Sequence, residues 1–177
     1  LFERQGETDS YRLEKGEINL TDLAQSEASL AGAEAKLIAA RNDLVTAKVN
    51  FEKIVAIESR GFLFASAVAY KMSKPLILIR KKNKLPAATH AVDFKLEYGT
   101  ATMEVHKDAI NSGDNVLLID DLIATGGTAD AAAKLIEMSN GKVSGFIFVI
   151  NLFDLNGTNN LLKKGYKVES LIEFPGH

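Results

Sequence analysis

The sequence predicts an open α/β sheet of parallel strands flanked by helices and preceded by one long N-terminal helix. Three observations carry this reading. From residue 54 onward, short β-branched runs alternate with helix-length segments rich in helix formers. Before residue 54 the texture is different, because Leu23, Leu30, Leu37, Leu44 and Phe51 recur every seven positions. And 177 residues, 46% of them hydrophobic and 25% charged, suffice to close one continuous core without disulfide or metal staples.

The N-terminal helix is expected over residues 22–53. Ala33, Ala40 and Ala47 each follow a Leu by three places, so the seam alternates large and small side chains and lets two helices approach closely. Asp22 and Gln25 offer a cap and its return bond, with Thr21 as the neighbouring candidate, and the interior is dominated by Ala, Leu, Glu, Lys and Arg. Leu37, Leu44 and Phe51 would face inward. At 1.5 Å per residue such a helix runs about 48 Å, longer than a domain of this size, so part of it projects or pairs and self-association follows.

The runs 54–57, 75–79, 116–119, 143–150 and 168–172 read as buried parallel strands. Between them 62–71 and 128–138 read as helices, an order that implies right-handed crossover units and ligand sites at the carboxyl ends of strands. Residues 87–95 show little apolar periodicity and read as a mobile loop able to close over a site, with 102–106 as the strand returning from it. FVINLFDLNG up to Gly157 and SLIEF at 170–174 read as core strands and a turn. The texture changes within residues 51–62 without a Gly, Pro or Ser cluster, dividing the chain into a coiled-coil-like helical segment, 1–53, and an α/β domain, 54–177.

Composition narrows the function. A formal charge of −2 gives no general field for nucleic acid or an anionic membrane, so neither is an expected partner and any anion site must be local. The absence of cysteine removes disulfides, thiolate zinc sites and cysteine nucleophiles, in keeping with a cytoplasmic location. The apolar runs are strand-sized and the N-terminus lacks a signal-peptide core. His90, His106 and His177 have no spacing suited to a metal cage.

Four segments carry chemistry. In VLLIDDLIATGGT, 116–128, an apolar strand ends in Asp120 and Asp121 and is followed by Ala124, Thr125, Gly126, Gly127 and Thr128 before a helix. Glycines let successive N–H groups converge, two threonines add hydroxyl donors, and the helix terminus adds positive dipole, which together make a phosphate site that needs no lysine. The adjacent carboxylates can accept hydrogen bonds from vicinal hydroxyls, directly or through a metal, so the whole describes a sugar phosphate. IESRGFLF places Ser59, Arg60 and Gly61 at another strand end before a helix. LIRKKNKLP sets Arg80, Lys81, Lys82 and Lys84 after a strand, a local positive field suited to a diphosphate. FKLEYG follows the presumed loop with Glu97 and Tyr98.

The first segment closely resembles the signature of the type I phosphoribosyltransferases, and R-K-x-x-K-L-P with LEYG resembles the adenine phosphoribosyltransferases in particular. The resemblance covers residues 54–177. It implies a type I phosphoribosyltransferase-like open parallel sheet and transfer of phosphoribosyl from phosphoribosyl diphosphate to adenine, giving AMP and diphosphate, in a homodimer. By it Asp120 and Asp121 hold the ribose hydroxyls and the 124–128 loop holds the 5′-phosphate. Ser59, Arg60 and Gly61 would form a diphosphate loop containing a strained peptide, helped by Arg80, Lys81 and Lys84. Glu97 would assist proton movement at the purine, Tyr98 would seal the closed site, and Mg2+ would be bound mainly through substrate diphosphate and ribose oxygens. Asn83 stands where that family commonly has glycine, which bears on the backbone shape of its loop.

The family's N-terminal hood, with a proline-rich stretch and an FxDIT-like motif, is not found in residues 1–53. That segment instead resembles the periplasmic coiled-coil hairpin of TolC-like outer-membrane efflux channels, which implies a fused reading frame joined at FEKIVAIES. Without the hood, the alternative is a protein that binds phosphoribosyl diphosphate or AMP without turnover. Guanine, xanthine and orotate are further acceptors the motifs leave open.

Overall fold

A computed structural model describes residues 50–95 and 99–176. The expected coiled-coil segment up to residue 49, the flap residues Glu97 and Tyr98, and His177 lie outside the described residues. The described chain runs β1 (Lys53–Ile57), α1 (Gly61–Met72), β2 (Leu76–Lys81), β3 (Thr89–Lys95), β4 (Thr100–His106), β5 (Asn115–Ile123), α2 (Gly127–Met138), β6 (Lys142–Leu152), a 3-10 turn (Phe153–Leu155), α3 (Gly157–Lys163) and β7 (Val168–Phe174).

Seven strands form one sheet in the order β3-β4-β2-β1-β5-β6-β7. The five from β2 to β7 are parallel, whereas β4 pairs antiparallel with β2 and β3 antiparallel with β4, so the sheet is mixed rather than wholly parallel. β1 sits at the centre and is buried along nearly its whole length, as expected for a strand with neighbours on both edges and helices on both faces. Its alternate residues divide between layers. Val55 and Ile57 join Leu118, Phe146, Phe148 and the Ala-rich face of α2 in one cluster. Ile54, Ala56 and Ile119, equally buried, lie outside that cluster with Ala65 and Ala69 of α1. Period-2 alternation thus accounts for a helix, sheet, helix sandwich.

Two further expectations are corrected. The helix expected over 22–53 does not extend to Lys53: Phe51 has no regular structure and Lys53 already begins β1. Phe51 is instead buried at the end of the sheet with the Lys74 ammonium 5.5 Å from its ring centre, and Glu52 pairs with Asn115 at the start of β5. Sheet pairing across long range outweighs the local heptad. The loop expected at 87–95 is largely β3, registered against β4 from Thr89–His106 to Lys95–Thr100. Val92 and Phe94 alternate toward the core, a period-2 signal kept short because the preceding position on that face is His90. The turn expected before Gly157 is the 3-10 turn Phe153–Leu155, and a helix that no sequence signal announced, α3, follows it. Its sequence GTNNLLK is Asn-rich and too short to show periodicity.

Leu135, Ile136, Phe146, Phe148 and Leu161 are all at most 1% exposed, and Phe146 stacks on Phe148 at 6.0 Å while meeting Tyr166 edge-on at 5.3 Å. This aromatic group joins β6, which borders the cleft described below, to the C-terminal part of the sheet. Truncating Phe146 to Ala is expected to cost about 3–5 kcal/mol. The measurement is urea unfolding, where the midpoint falls and the slope is retained.

Candidate functional site

The carboxyl ends of β1, β2 and β5 open into one cleft of about 320 Å³. Ser59 and Arg60 line one side, Lys81 another, and Asp120, Asp121 and the 124–128 turn the third, with buried Phe148 on the wall. Residues from three separate sequence motifs are thereby brought within one concavity. Parallel strands whose loops diverge from adjacent edges create such a crevice without any special device.

Asp120 is the most constrained member. It is 8% exposed, and its Oδ1 accepts the Asp121 backbone N–H at 2.9 Å. Gly61, the first residue of α1, packs directly under it; a Cβ there would lie 2.6 Å from Asp120 Oδ1 and 3.1 Å from the Ile119 carbonyl oxygen. Glycine is required at this point by close approach, whatever its φ. Burial pushes the Asp120 carboxyl up to about 7, and the Asp121 charge adds to the effect, while the Asp121 N–H and the more distant Arg60 oppose it.

Asp121 is partly exposed and accepts from Arg60 Nε at 2.5 Å. That bond and the Asp121 charge hold the Arg60 guanidinium above its ordinary value. Arg60 stands at the entrance of α1 with its side chain 71% exposed, so it can leave Asp121 without unpacking anything. The Glu58–Ser59 peptide, just before it, is cis.

The 124–128 turn links β5 to α2. Gly126 adopts φ +85°, the left-handed region that glycine enters freely, and caps α2. The N–H groups of a helix's first turn have no intrahelical partners, so those of Gly127 and Thr128 are available beside the Thr125 and Thr128 hydroxyls. A monoester dianion can be held here by main-chain donors alone.

Not every predicted residue lines the cleft. Arg80 points at Glu58, with Nε 3.3 Å from Oε2, and its Nη1 donates to the Lys84 carbonyl at 3.2 Å. It braces the loop that follows β2. Lys84 is exposed beside it. Asn83 adopts φ +63°, a left-handed conformation that Asn tolerates, and its N–H donates to buried Glu104 at 3.0 Å. The loop thus keeps the backbone shape that a glycine would give.

Sequence reasoning missed Glu58 and Phe148. Burial raises the Glu58 carboxyl, but the Lys81 N–H at 2.8 Å and the Arg80 guanidinium outweigh it, so the net direction is downward. Its place in IESRG was visible; its pairing with Arg80 of β2, 22 residues away, was not. Phe148 reads as an ordinary strand residue, and only register opposite Asp120 reveals its position. Among the described residues, no three His, Cys, Asp or Glu gather to hold a metal by themselves.

The chain matches the phosphoribosyl transferase domain family over residues 19–175, a span that includes the whole heptad-patterned stretch. It is 67% identical over 138 residues to the adenine phosphoribosyltransferase of Pelagibacter ubique, covering 77% of this chain and 79% of that protein. The crystal structure of adenine phosphoribosyltransferase from Thermoanaerobacter pseudethanolicus superposes with a TM-score of 0.71 at 41% identity, over 82% of this chain and 84% of that one. The Saccharomyces cerevisiae enzyme, complexed with an imino-altritol bisphosphate and adenine, gives 0.69 at 36% identity, over 76% and 77%.

The environment of Asp120 sets a pH dependence. Its folded value lies near 7 and its ordinary value at 3.8, so between them the folded state holds the proton more strongly than the unfolded chain. Stability from this group is fully present below pH 4 and is lost as pH rises through about 7. Asp120→Asn keeps the oxygen that accepts the Asp121 N–H and removes the titration. The variant is expected to melt higher than the parent at pH 8, with the difference shrinking toward pH 5. Parallel melting curves across that range would count against the assignment.

Proposed function

The chain belongs to the adenine phosphoribosyltransferase family, and we propose that the cleft at the ends of β1, β2 and β5 is where it binds phosphoribosyl diphosphate and adenine and releases AMP and diphosphate. The observation that carries this reading is the convergence of the Asp120–Asp121 pair, the 124–128 turn and Arg60 with Lys81 on one cavity. Each matches one part of the substrate: vicinal hydroxyls, a monoester phosphate and a diphosphate.

The reaction replaces the C1–O bond to diphosphate with a bond to the purine nitrogen. Diphosphate leaves with the electron pair and the purine gives up the proton of that nitrogen. Positive charge develops on the ribose ring, so the protein's contribution is to position the sugar and stabilise separating charges. Asp120 and Asp121 accept hydrogen bonds from the two ribose hydroxyls. Main-chain donors of 125–128 fix the 5′-phosphate. Arg60 and Lys81 face the departing diphosphate, and Arg80 and Lys84 add to the field around it. We assign proton movement at the purine to Glu97 and closure of the site to Tyr98.

The donor chemistry fits Mg2+. Two carboxylates of hard oxygen, Asp120 and Asp121, stand at the strand end, and a magnesium ion characteristically combines one or two such groups with substrate phosphate oxygens. Bound there, it would neutralise charge on the diphosphate as that group departs. Purine salvage of this kind belongs with cytosolic substrates, and among the described residues no helix is long and apolar enough to cross a membrane. Exposed Leu63, Phe64 and Tyr70 on α1 support assembly as a homodimer, which sedimentation would register as a doubled mass.

AMP formation from adenine, phosphoribosyl diphosphate and Mg2+ tests the reading directly. The parent is expected to turn over, and Asp120→Asn combined with Asp121→Asn to lower the rate at least about a hundredfold. Full ligand affinity and rate in that folded double variant would sink it.

A further inference from the structure

We propose that α3 clamps the phosphate-binding turn, with Gly157 and Asn160 as positioning residues for the 5′-phosphate; the inference rests on the phosphoribosyl reading of that turn. Of α3 only Gly157, the last residue of FVINLFDLNG, fell in a segment the sequence singled out, and the residues of α3 do not line the cleft.

The contact is backbone on backbone. The Gly157 N–H donates to the Ala124 carbonyl at 3.0 Å. A Cβ at Gly157 would fall 2.3 Å from that oxygen and 2.8 Å from the Gly126 nitrogen, so no larger residue fits without moving the turn. From the other side, a Cβ at Gly126 would meet Gly157 Cα at 3.2 Å. One step along, Asn160 Nδ2 donates to the Thr125 carbonyl at 3.4 Å. A third carbonyl, that of Gly126, accepts the Asp130 N–H of α2 at 2.9 Å.

Three consecutive carbonyls are therefore held by donors outside the cleft. In a trans peptide the N–H points opposite to the carbonyl of the same plane. Tying the Ala124 and Thr125 carbonyls toward α3 turns the Thr125 and Gly126 N–H groups away from α3. The cleft is on that side, since the turn lines it and α3 does not. A released peptide could rotate and present a carbonyl lone pair to the phosphate, replacing attraction with repulsion. Orientation of fixed dipoles before the ligand arrives is what makes such donors effective.

α3 is in turn anchored. Leu161 is 1% exposed in the core, Lys164 at its end pairs with Asp130 of α2, and Thr158 donates to Asn151 of β6 at 2.9 Å. The clamp is thus tied to α2, which follows the turn, and to β6, the strand paired with β5.

The test uses the full chain, titrated calorimetrically with ribose 5-phosphate and, separately, with inorganic diphosphate in the presence of Mg2+. Asn160 is exposed, so Asn160→Ala keeps the fold; its ribose 5-phosphate affinity is expected to fall about fivefold, the worth of one hydrogen bond. Gly157→Ala displaces the turn and is expected to lose about a hundredfold. Diphosphate affinity is expected to match the parent in both. If Gly157→Ala does not fold, Asn160→Ala alone decides. The proposal is overturned if folded variants bind ribose 5-phosphate as the parent does, or lose both ligands equally. A parent that binds no ribose 5-phosphate would instead defeat the phosphoribosyl reading, and the inference with it.

Discussion

Asp120 sits at the carboxyl end of the strand beside the centre of the sheet, nine-tenths covered by protein, and the cation that acts on it, Arg60, is bonded to Asp121 instead. The strand end tolerates this only because its surroundings are built closely around the carboxyl group. Gly61 gives up its side chain to make room, the next residue's N–H supplies a hydrogen bond, and Asp121 takes its own counter-ion from Arg60. Burial of an acid is costly, and a site that accepts the cost keeps the group where it can only accept from, or donate to, something entering the cleft. The start of α1, the entry of Arg60 and the path of the 124–128 turn all follow from that placement.

Much of this was readable in advance because the chemistry is local. Thirteen consecutive residues from Val116 to Thr128 contain the strand, both carboxylates, both glycines and the helix start, so their relation is fixed by covalent geometry. The same holds for Ser59, Arg60 and Gly61 before α1. What escaped depends on distance along the chain. Glu58 meets Arg80, Gly157 meets Ala124, and Phe148 meets Asp120 only through register and packing. Residues 89–95 lack the length and apolar density to announce a strand, and they become one by pairing with β4. Phe51 shows the reverse case, in which a strong local heptad ends where long-range pairing of Glu52 with Asn115 takes over.

The two loops proposed to bind the phosphate and the diphosphate use different physics, and the sequence reflects it. The 124–128 turn contains no cation and depends on main-chain donors, so it needs glycine and a rigid support more than it needs charge. The opposite wall depends on Arg60 and Lys81, which need reach and freedom rather than fixed backbone. A monoester dianion that must hold the sugar in one place suits the first arrangement. A group that must depart suits the second, since flexible cations can follow it outward.

Charge is nevertheless not abundant in the cleft. The chain as a whole carries −2, Arg80 is engaged by Glu58, and Arg60 by Asp121. A guanidinium shared between a carboxylate and an incoming diphosphate cannot serve both fully, so an anion recruited by Arg60 must draw it from Asp121. That transfer leaves Asp121 with accepting capacity to fill, and ribose hydroxyls are donors of the right kind. On the proposed reading, sugar and diphosphate on the same molecule would relieve each other's cost: the hydroxyls would replace the bond that Arg60 gives up. Phosphate-only or ribose-only ligands satisfy one half of that exchange and leave the other unpaid, which favours a substrate that brings both groups to the same strand end.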